Sequence, residues 1–149
     1  MMTTVLAAGV FDLLHYGHIR YLEEAKKIGG ENPRLVVIVA RDETVRSLKG
    51  SDPIIPEDQR RAVIEALKVV DEALLGFENM DLARVLMQVK PDIVVVGHDQ
   101  DAIRAQVDKI NKAREMHIKI IQIKQFGEDD LNSSSKIKSR IVEGARKKA

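Results

Sequence analysis

A chain of 149 residues, 44% apolar and 32% charged, is about one domain long and carries enough apolar material for a core beneath an ordinary soluble surface. Its net charge of +1 supplies no field for DNA, RNA or an anionic membrane, and the basic Arg146-Lys147-Lys148 suits the carboxyl end of a terminal helix. The lack of cysteine excludes disulfides, thiolate catalysis and cysteine-ligated metal and suits a reducing cytoplasm, while Met1-Met2-Thr3-Thr4 has no leader character and no apolar run approaches a membrane span.

Short apolar runs alternate with amphipathic stretches along the chain. The first strand is predicted at Val5-Leu6-Ala7-Ala8, and a helix over 18–28 follows, closed by Gly29-Gly30 and Asn32-Pro33. A strand from Leu35 to Ala40 comes next. Pro53 to Pro56 then breaks the chain before a helix over 57–67. Ala73-Leu74-Leu75, a helix over 80–89 and a strand from Ile93 to Val96, opened by Pro91-Asp92, continue the alternation. A helix over 101–116, a strand from Ile118 to Ile123 and a helix over 134–146 complete it. Several strands are continuously apolar, as expected where both faces of a parallel sheet are covered. The pattern predicts an α/β fold: one Rossmann-like domain over 1–149, an open parallel sheet with helices on both faces. No repeat or linker interrupts it.

The stretch Gly9-Val10-Phe11-Asp12-Leu13-Leu14-His15-Tyr16-Gly17-His18 lies at the carboxyl end of the first strand, where open α/β sheets bind ligands. It runs into a helix amino terminus, whose unpaired N–H groups attract phosphate. Two imidazoles there can donate to phosphoryl oxygens, and Gly17 allows close approach of a triphosphate. His18 alone, sharing a helical face with Leu22 and Ala25, reads as a packing residue, and His15 alone as a turn cap. Paired as His-x-Gly-His after Gly-x-Phe-Asp at a strand–helix junction, they point to chemistry.

Gly9 to His18 resembles the HxGH signature of the cytidylyltransferase-like nucleotidyltransferases, relatives of the class I aminoacyl-tRNA synthetase catalytic fold. The resemblance implies that His15 and His18 contact the triphosphate and stabilise the transition state, with Tyr16 and Gly17 beside the nucleotide. The family usually has threonine where this chain has Val10. A hydroxyl contact is thereby lost, and the backbone N–H groups of Val10 and Phe11 remain as donors.

Further segments fit the same family. Asn132-Ser133-Ser134-Ser135-Lys136 opens the last helix with several capping residues and no acid three positions on. By residues alone, capping and phosphate binding are equally good readings. The stretch resembles the family's second phosphate motif, which implies that Ser133, Ser134 and Ser135 hold the β- and γ-phosphates. Gly97-His98-Asp99-Gln100 matches the family's Gly-x-Asp segment, placing Asp99 near ribose and base; as a local feature it would cap the next helix. Arg60 falls on the inner face of its helix with Val63, Ile64 and Leu67, so it must find an anion. A structural salt bridge would serve, and the resemblance implies a phosphate contact. Arg61 is expected at the surface. Lys49 is by itself a solvated loop charge, and it matches a family lysine that reaches the phosphates.

Within the family, the stretch from Val37 to Gly76 and the chain as a whole resemble archaeal-type FAD synthase most closely. That resemblance implies transfer of AMP from ATP to FMN by a homodimer, with magnesium carried on the triphosphate and no protein metal site. A heptose 1-phosphate adenylyltransferase and a glycerol-3-phosphate cytidylyltransferase are the alternatives. So is a non-catalytic nucleotide-binding regulator, against which both histidines, Arg60, Asp99 and the serine run argue. Few aromatics are available for a flavin ring, and Phe126 is the one best placed in sequence to lie near the nucleotide.

Overall fold

The computed structural model describes residues 1–78, 81–124 and 134–148. Strands β1 (Thr3–Gly9), β2 (Pro33–Val39), β3 (Glu72–Leu75), β4 (Ile93–Val96) and β5 (Lys119–Gln122) form one sheet in the order β3-β2-β1-β4-β5. Every neighbouring pair is parallel, as strands joined by helical crossovers must be. The helices are α1 (Tyr16–Ile28), α2 (Asp42–Lys49), α3 (Glu57–Glu65), α4 (Leu82–Val89), α5 (Asp101–Arg114) and α6 (Ser134–Lys148).

Period-two alternation sends neighbouring strand residues to opposite faces. Val5, Ala7, Leu35, Val37 and Val39 pack against Leu22 and Ala25 of α1 and Ile64 of α3. Leu6, Val36, Val94 and Val96 pack against Val85 and Leu86 of α4 and Val107 of α5. Both faces are dry, so the strands carry apolar residues at nearly every position. Each fully buried Val or Leu stabilises the fold by ~1.5–3 kcal/mol.

Strand β1 pairs with β2 from Thr3↔Pro33 to Gly9↔Val39, and with β4 only from Val5↔Ile93 to Ala7↔Val95. Beyond Ala7 the two central strands part. The chain enters β2 to one side of β1 and β4 to the other, so this gap is the topological switch point of the sheet, where such folds take their ligands.

The structure departs from the sequence reading in three places. Helix α2 was not expected; Asp42 and Glu43 in its first turn and Gly50 at its end (φ 76°) suit a short helix, which the polar composition of Asp42–Lys49 concealed. Helix α3 meets the sheet along Arg60 and Ile64, which swings Val63 outward to 47% exposure. Arg61 is only half-exposed: its guanidinium pairs with Glu65 at 2.6 Å and reaches the carbonyl of Ala73, on the sheet's outer strand, at 3.3 Å.

Candidate active site

Leaving β1, the chain makes a tight turn through two residues in the left-handed region, Phe11 (φ 52°) and Leu13 (φ 31°). Non-glycine residues adopt that region only where the surroundings enforce it. Phe11 is held by burial, at 5% exposure, and its ring lies 2.8 Å from where a Cβ on residue 9 would stand. Gly9 is therefore required by the ring of Phe11. The ring in turn meets His18 edge-on, with centroids 5.3 Å apart.

Helix α1 begins at Tyr16, with His15 in the extended N-cap position. The backbone N–H of His15 donates to Nδ1 of His18 at 3.2 Å. A ring nitrogen that accepts an amide bond carries no proton, so neutral His18 presents an N–H at Nε2. The two rings stack at 3.8 Å and 26°. Burial, the neighbouring His15 and the charge of Lys49 push the pKa of His18 down to about 4, and burial lowers that of His15. Both rings are neutral at pH 7. The Nδ1 atom of His15 is buried without a hydrogen-bond partner among the described residues, a condition that costs about 1–3 kcal/mol. Lys49, at the end of α2, is exposed and close enough for its charge to be felt at His18. Histidine pair and lysine thus come together.

Arg60 has a different task from the expected phosphate contact. It is 1% exposed, and its guanidinium donates to the carbonyls of Ile55 (2.8 Å), Val10 (2.8 Å) and Ala40 (2.7 Å) and to Asp42 Oδ1 (2.6 Å). Its inward direction followed from helical periodicity; its anion is Asp42, and its other partners are carbonyls just past the ends of β1 and β2 and that of Ile55, ahead of its own helix. It fixes the floor of the site. Glu57 continues the network, accepting from the Asp42 N–H at 2.9 Å and from Arg41 at 3.1 Å.

Asp12 is the counterpart that the sequence reading missed. It is 3% exposed and accepts the N–H groups of Ile54 and Ile55, each at 2.9 Å, and the ammonium of Lys138 at 3.2 Å. Burial raises its pKa, but the two amides and Lys138 outweigh that and hold the carboxyl below its usual range. The Ile54–Ile55 segment is gripped from both sides, its amides by Asp12 and the Ile55 carbonyl by Arg60. An acid following an aromatic in a strand–helix turn was the only available signal, and its partners are too distant in sequence to be read.

At the other lip of the crevice, β4 ends in Gly97-His98-Asp99-Gln100. Gln100, which the sequence reading passed over, caps α5 and spans the gap: its Oε1 accepts from the Gly97 N–H at 2.7 Å and its Nε2 donates to the Ala8 carbonyl at 2.9 Å. Asp99 is exposed, and it is not the helix cap. Beneath them Tyr21 donates to the Val95 carbonyl at 3.2 Å, and burial together with the charge of Asp99 raises its pKa. The beginning of α6 closes a third side, Ser134 Oγ donating to the Leu13 carbonyl at 3.3 Å, with Ser135 exposed beside it. Phe126 and Ser133 lie outside the described residues. The amino ends of α1 and α6 therefore flank one turn, two partial positive charges beside two neutral imidazoles and a lysine. Such a set suits a polyphosphate.

A doubly wound sheet with this turn at its switch point defines a nucleotidyltransferase, and the chain belongs to the cytidylyltransferase-like family, whose model matches residues 6–140. Within the family it is similar to archaeal proteins named FAD synthase. It is 48% identical over 139 residues to the FAD synthase of Methanopyrus kandleri, covering 93% of this chain and 91% of that protein. It is also 48% identical over 143 residues to the FAD synthase of Thermoplasma volcanium, covering 95% and 96%. Among solved structures, a lipopolysaccharide core biosynthesis protein from Thermoplasma volcanium matches with a TM-score of 0.75 and 47% identity over 84% of this chain and 98% of that one. Pantothenate synthetase from Thermus thermophilus, at 18% identity and a TM-score of 0.61 over 99% of this chain and 64% of that one, shares the fold.

Proposed function

We propose that this chain transfers AMP from ATP to FMN, forming FAD and pyrophosphate. The observation that carries the reading is the stacked pair of neutral histidines at the amino end of α1, with Lys49 beside it and the α6 amino terminus opposite. An oxygen of the FMN phosphate attacks the α-phosphorus of ATP. A new P–O bond forms in line as the bond to the bridging oxygen breaks, and pyrophosphate departs with that electron pair. The nucleophile is already ionised at neutral pH, so no general base is needed, and catalysis is positioning plus stabilisation of charge on the phosphoryl oxygens.

In this scheme His18 donates from Nε2 and His15 from its free edge, Lys49 neutralises charge, and Ser134 and Ser135 with the α6 amides hold the outer phosphates. Ser133 belongs with them by sequence. The backbone of Val10 and Phe11, together with Tyr16, Gly17 and Asp99, lines the nucleotide, with Phe126 near it by sequence. Arg60 supports this floor from below. Magnesium arrives with ATP, held by phosphate oxygens and water; among the described residues no group of three or more His, Asp or Glu side chains gathers to cage a metal. FMN as acceptor rests on the FAD synthase relatives. Tyr16, Leu48 and Ile54 add exposed apolar side chains around the histidine turn for a flat ring. Both substrates are intracellular nucleotides, so the reaction is a cytoplasmic one, and a homodimer is the proposed assembly.

The test is chromatography of products after incubation with magnesium and ATP or CTP, together with FMN, glycerol 3-phosphate or heptose 1-phosphate. FAD from ATP and FMN is the expected product. A sugar phosphate or glycerol phosphate nucleotidylated while FMN stays intact would leave the transfer chemistry standing and overturn the acceptor.

A further inference from the structure

The turn that carries the histidines is tied to the last helix by an ion pair that nucleotidyl transfer does not itself call for. Lys138 lies one helical turn beyond Ser134 in α6, and its ammonium stands 3.2 Å from Asp12 Oδ2. The Ser134 hydroxyl donates to the carbonyl of the very next residue, Leu13. Two contacts from one helix thus converge on two consecutive residues of the histidine turn. Asp12 is itself fixed, since both of its carboxylate oxygens accept backbone amides of the Ile54–Ile55 segment. Helix α6 has no buried side chain, and Ile141 and Val142 on it are 63% and 51% exposed. Among the described residues it is polar contacts, not deeply buried apolar ones, that tie this helix to the turn.

We propose that Lys138 is a positioning residue for ATP: by pairing with Asp12 it seats the first turn of α6 against the histidine turn, so that the α6 amides and the two imidazoles face the same polyphosphate. The inference rests on the reading of these groups as the triphosphate site. Lys138 acts through Asp12 and touches no substrate. Its side chain is 41% exposed on the ammonium side of a nearly buried carboxylate, so its removal loosens the helix seat without opening the core. Methionine at this position keeps the length and loses the charge. Arginine keeps the charge and can reach the same carboxylate.

The experiment uses the full chain and binding of a non-hydrolysable ATP analogue by calorimetry, which is independent of the acceptor, together with thermal denaturation. Lys138→Met should weaken analogue binding about tenfold, the scale of one charge-assisted contact, with the melting temperature nearly unchanged. Lys138→Arg should restore most of the affinity. In an Asp12→Asn background, Lys138→Met should add little, because the two residues act as one unit. Wild-type affinity in Lys138→Met overturns the proposal. Additive losses in the double variant also overturn it, since Lys138 would then meet the phosphates directly, and a fall in melting temperature matching the loss of affinity would reduce it to a stabilising contact. If Asp12→Asn does not fold, the contrast between Met and Arg at position 138 decides. A wild-type chain that fails to bind the analogue would instead defeat the reading of the site.

Discussion

Two junctions of the same kind, a parallel strand turning into the helix that follows it, form the two lips of the crevice. They are built in opposite ways. The β1–α1 junction is held from afar: Arg60 grips the Val10 carbonyl, Asp12 grips residues 54 and 55, Lys138 grips Asp12, and Phe11 sits buried under His18 in a left-handed conformation. The β4–α5 junction is held by two side-chain amides: Gln100 bonds the Gly97 N–H and the Ala8 carbonyl, and Gln122 of β5 donates to the Gly97 and His98 carbonyls and to Asp101, while Asp99 and His98 stay exposed. The first holds two stacked imidazoles on a turn fixed by buried charges, the preorganisation that stabilising a transient charge would call for. The second is a neutral clasp of amide bonds to the neighbouring strands, with no buried charge at its centre.

That contrast can be broken at its strongest point by Arg60→Met. Three carbonyls and the Asp42 carboxylate would lose their donor, and stability should fall by about 3 kcal/mol, lowering the melting temperature by about 6–12 °C. Calorimetry or circular dichroism would register it. ATP affinity should follow only as the floor loosens; a selective loss of affinity in a fully stable variant would return Arg60 to the phosphates. His15→Ala and His18→Ala come next, each cutting kcat by about a hundredfold or more while nucleotide affinity changes far less. Pyrophosphate release measures this, and near-normal turnover in either variant would remove the catalytic assignment. At the neutral clasp, Gln100→Ala should raise KM for ATP by about tenfold, the worth of two ordinary hydrogen bonds, with kcat little changed. A large drop in kcat there would show the two lips to be equally catalytic.

A further effect is one of pH. The folded pKa of His18 lies near 4, below its unfolded value of 6.5. Between those values the unfolded chain binds the extra proton, so stability is greatest above 6.5 and declines as the pH falls through that window. An NMR titration of the ring in the free protein should be flat through 6.5. An ordinary imidazole curve would mean that the amide bond from His15 does not hold Nδ1.

What the sequence disclosed follows the same division. Strand order in the chain, the two-sided burial and the histidine turn were legible because each is written in neighbouring residues. Arg60 was placed correctly on the inner face by periodicity, yet its partners at Val10, Ala40 and Asp42 belong to other elements, so the residues alone left a salt bridge open and the family resemblance alone suggested a phosphate. Asp12 and Lys138 were invisible as a pair at a sequence separation of 126. Gln100 was overlooked because an amide after a strand end is unremarkable until the strand beside it is known. Helix α2 was lost to a composition that reads equally well as loop.

The ion pair between Asp12 and Lys138 also has a temporal meaning. During synthesis the chain emerges from its amino end, so all the strands exist before α6 does, and the sheet can pair completely around an unfinished site. Arg60 and the Ile54–Ile55 segment already hold the histidine turn by then, whereas the lysine that steadies its far side belongs to a helix made after every strand described here. A nascent copy, or one truncated before α6, would thus have its strands paired and its histidines in place but lack the lysine that pairs with Asp12, and the turn would be held on that side only once α6 is made.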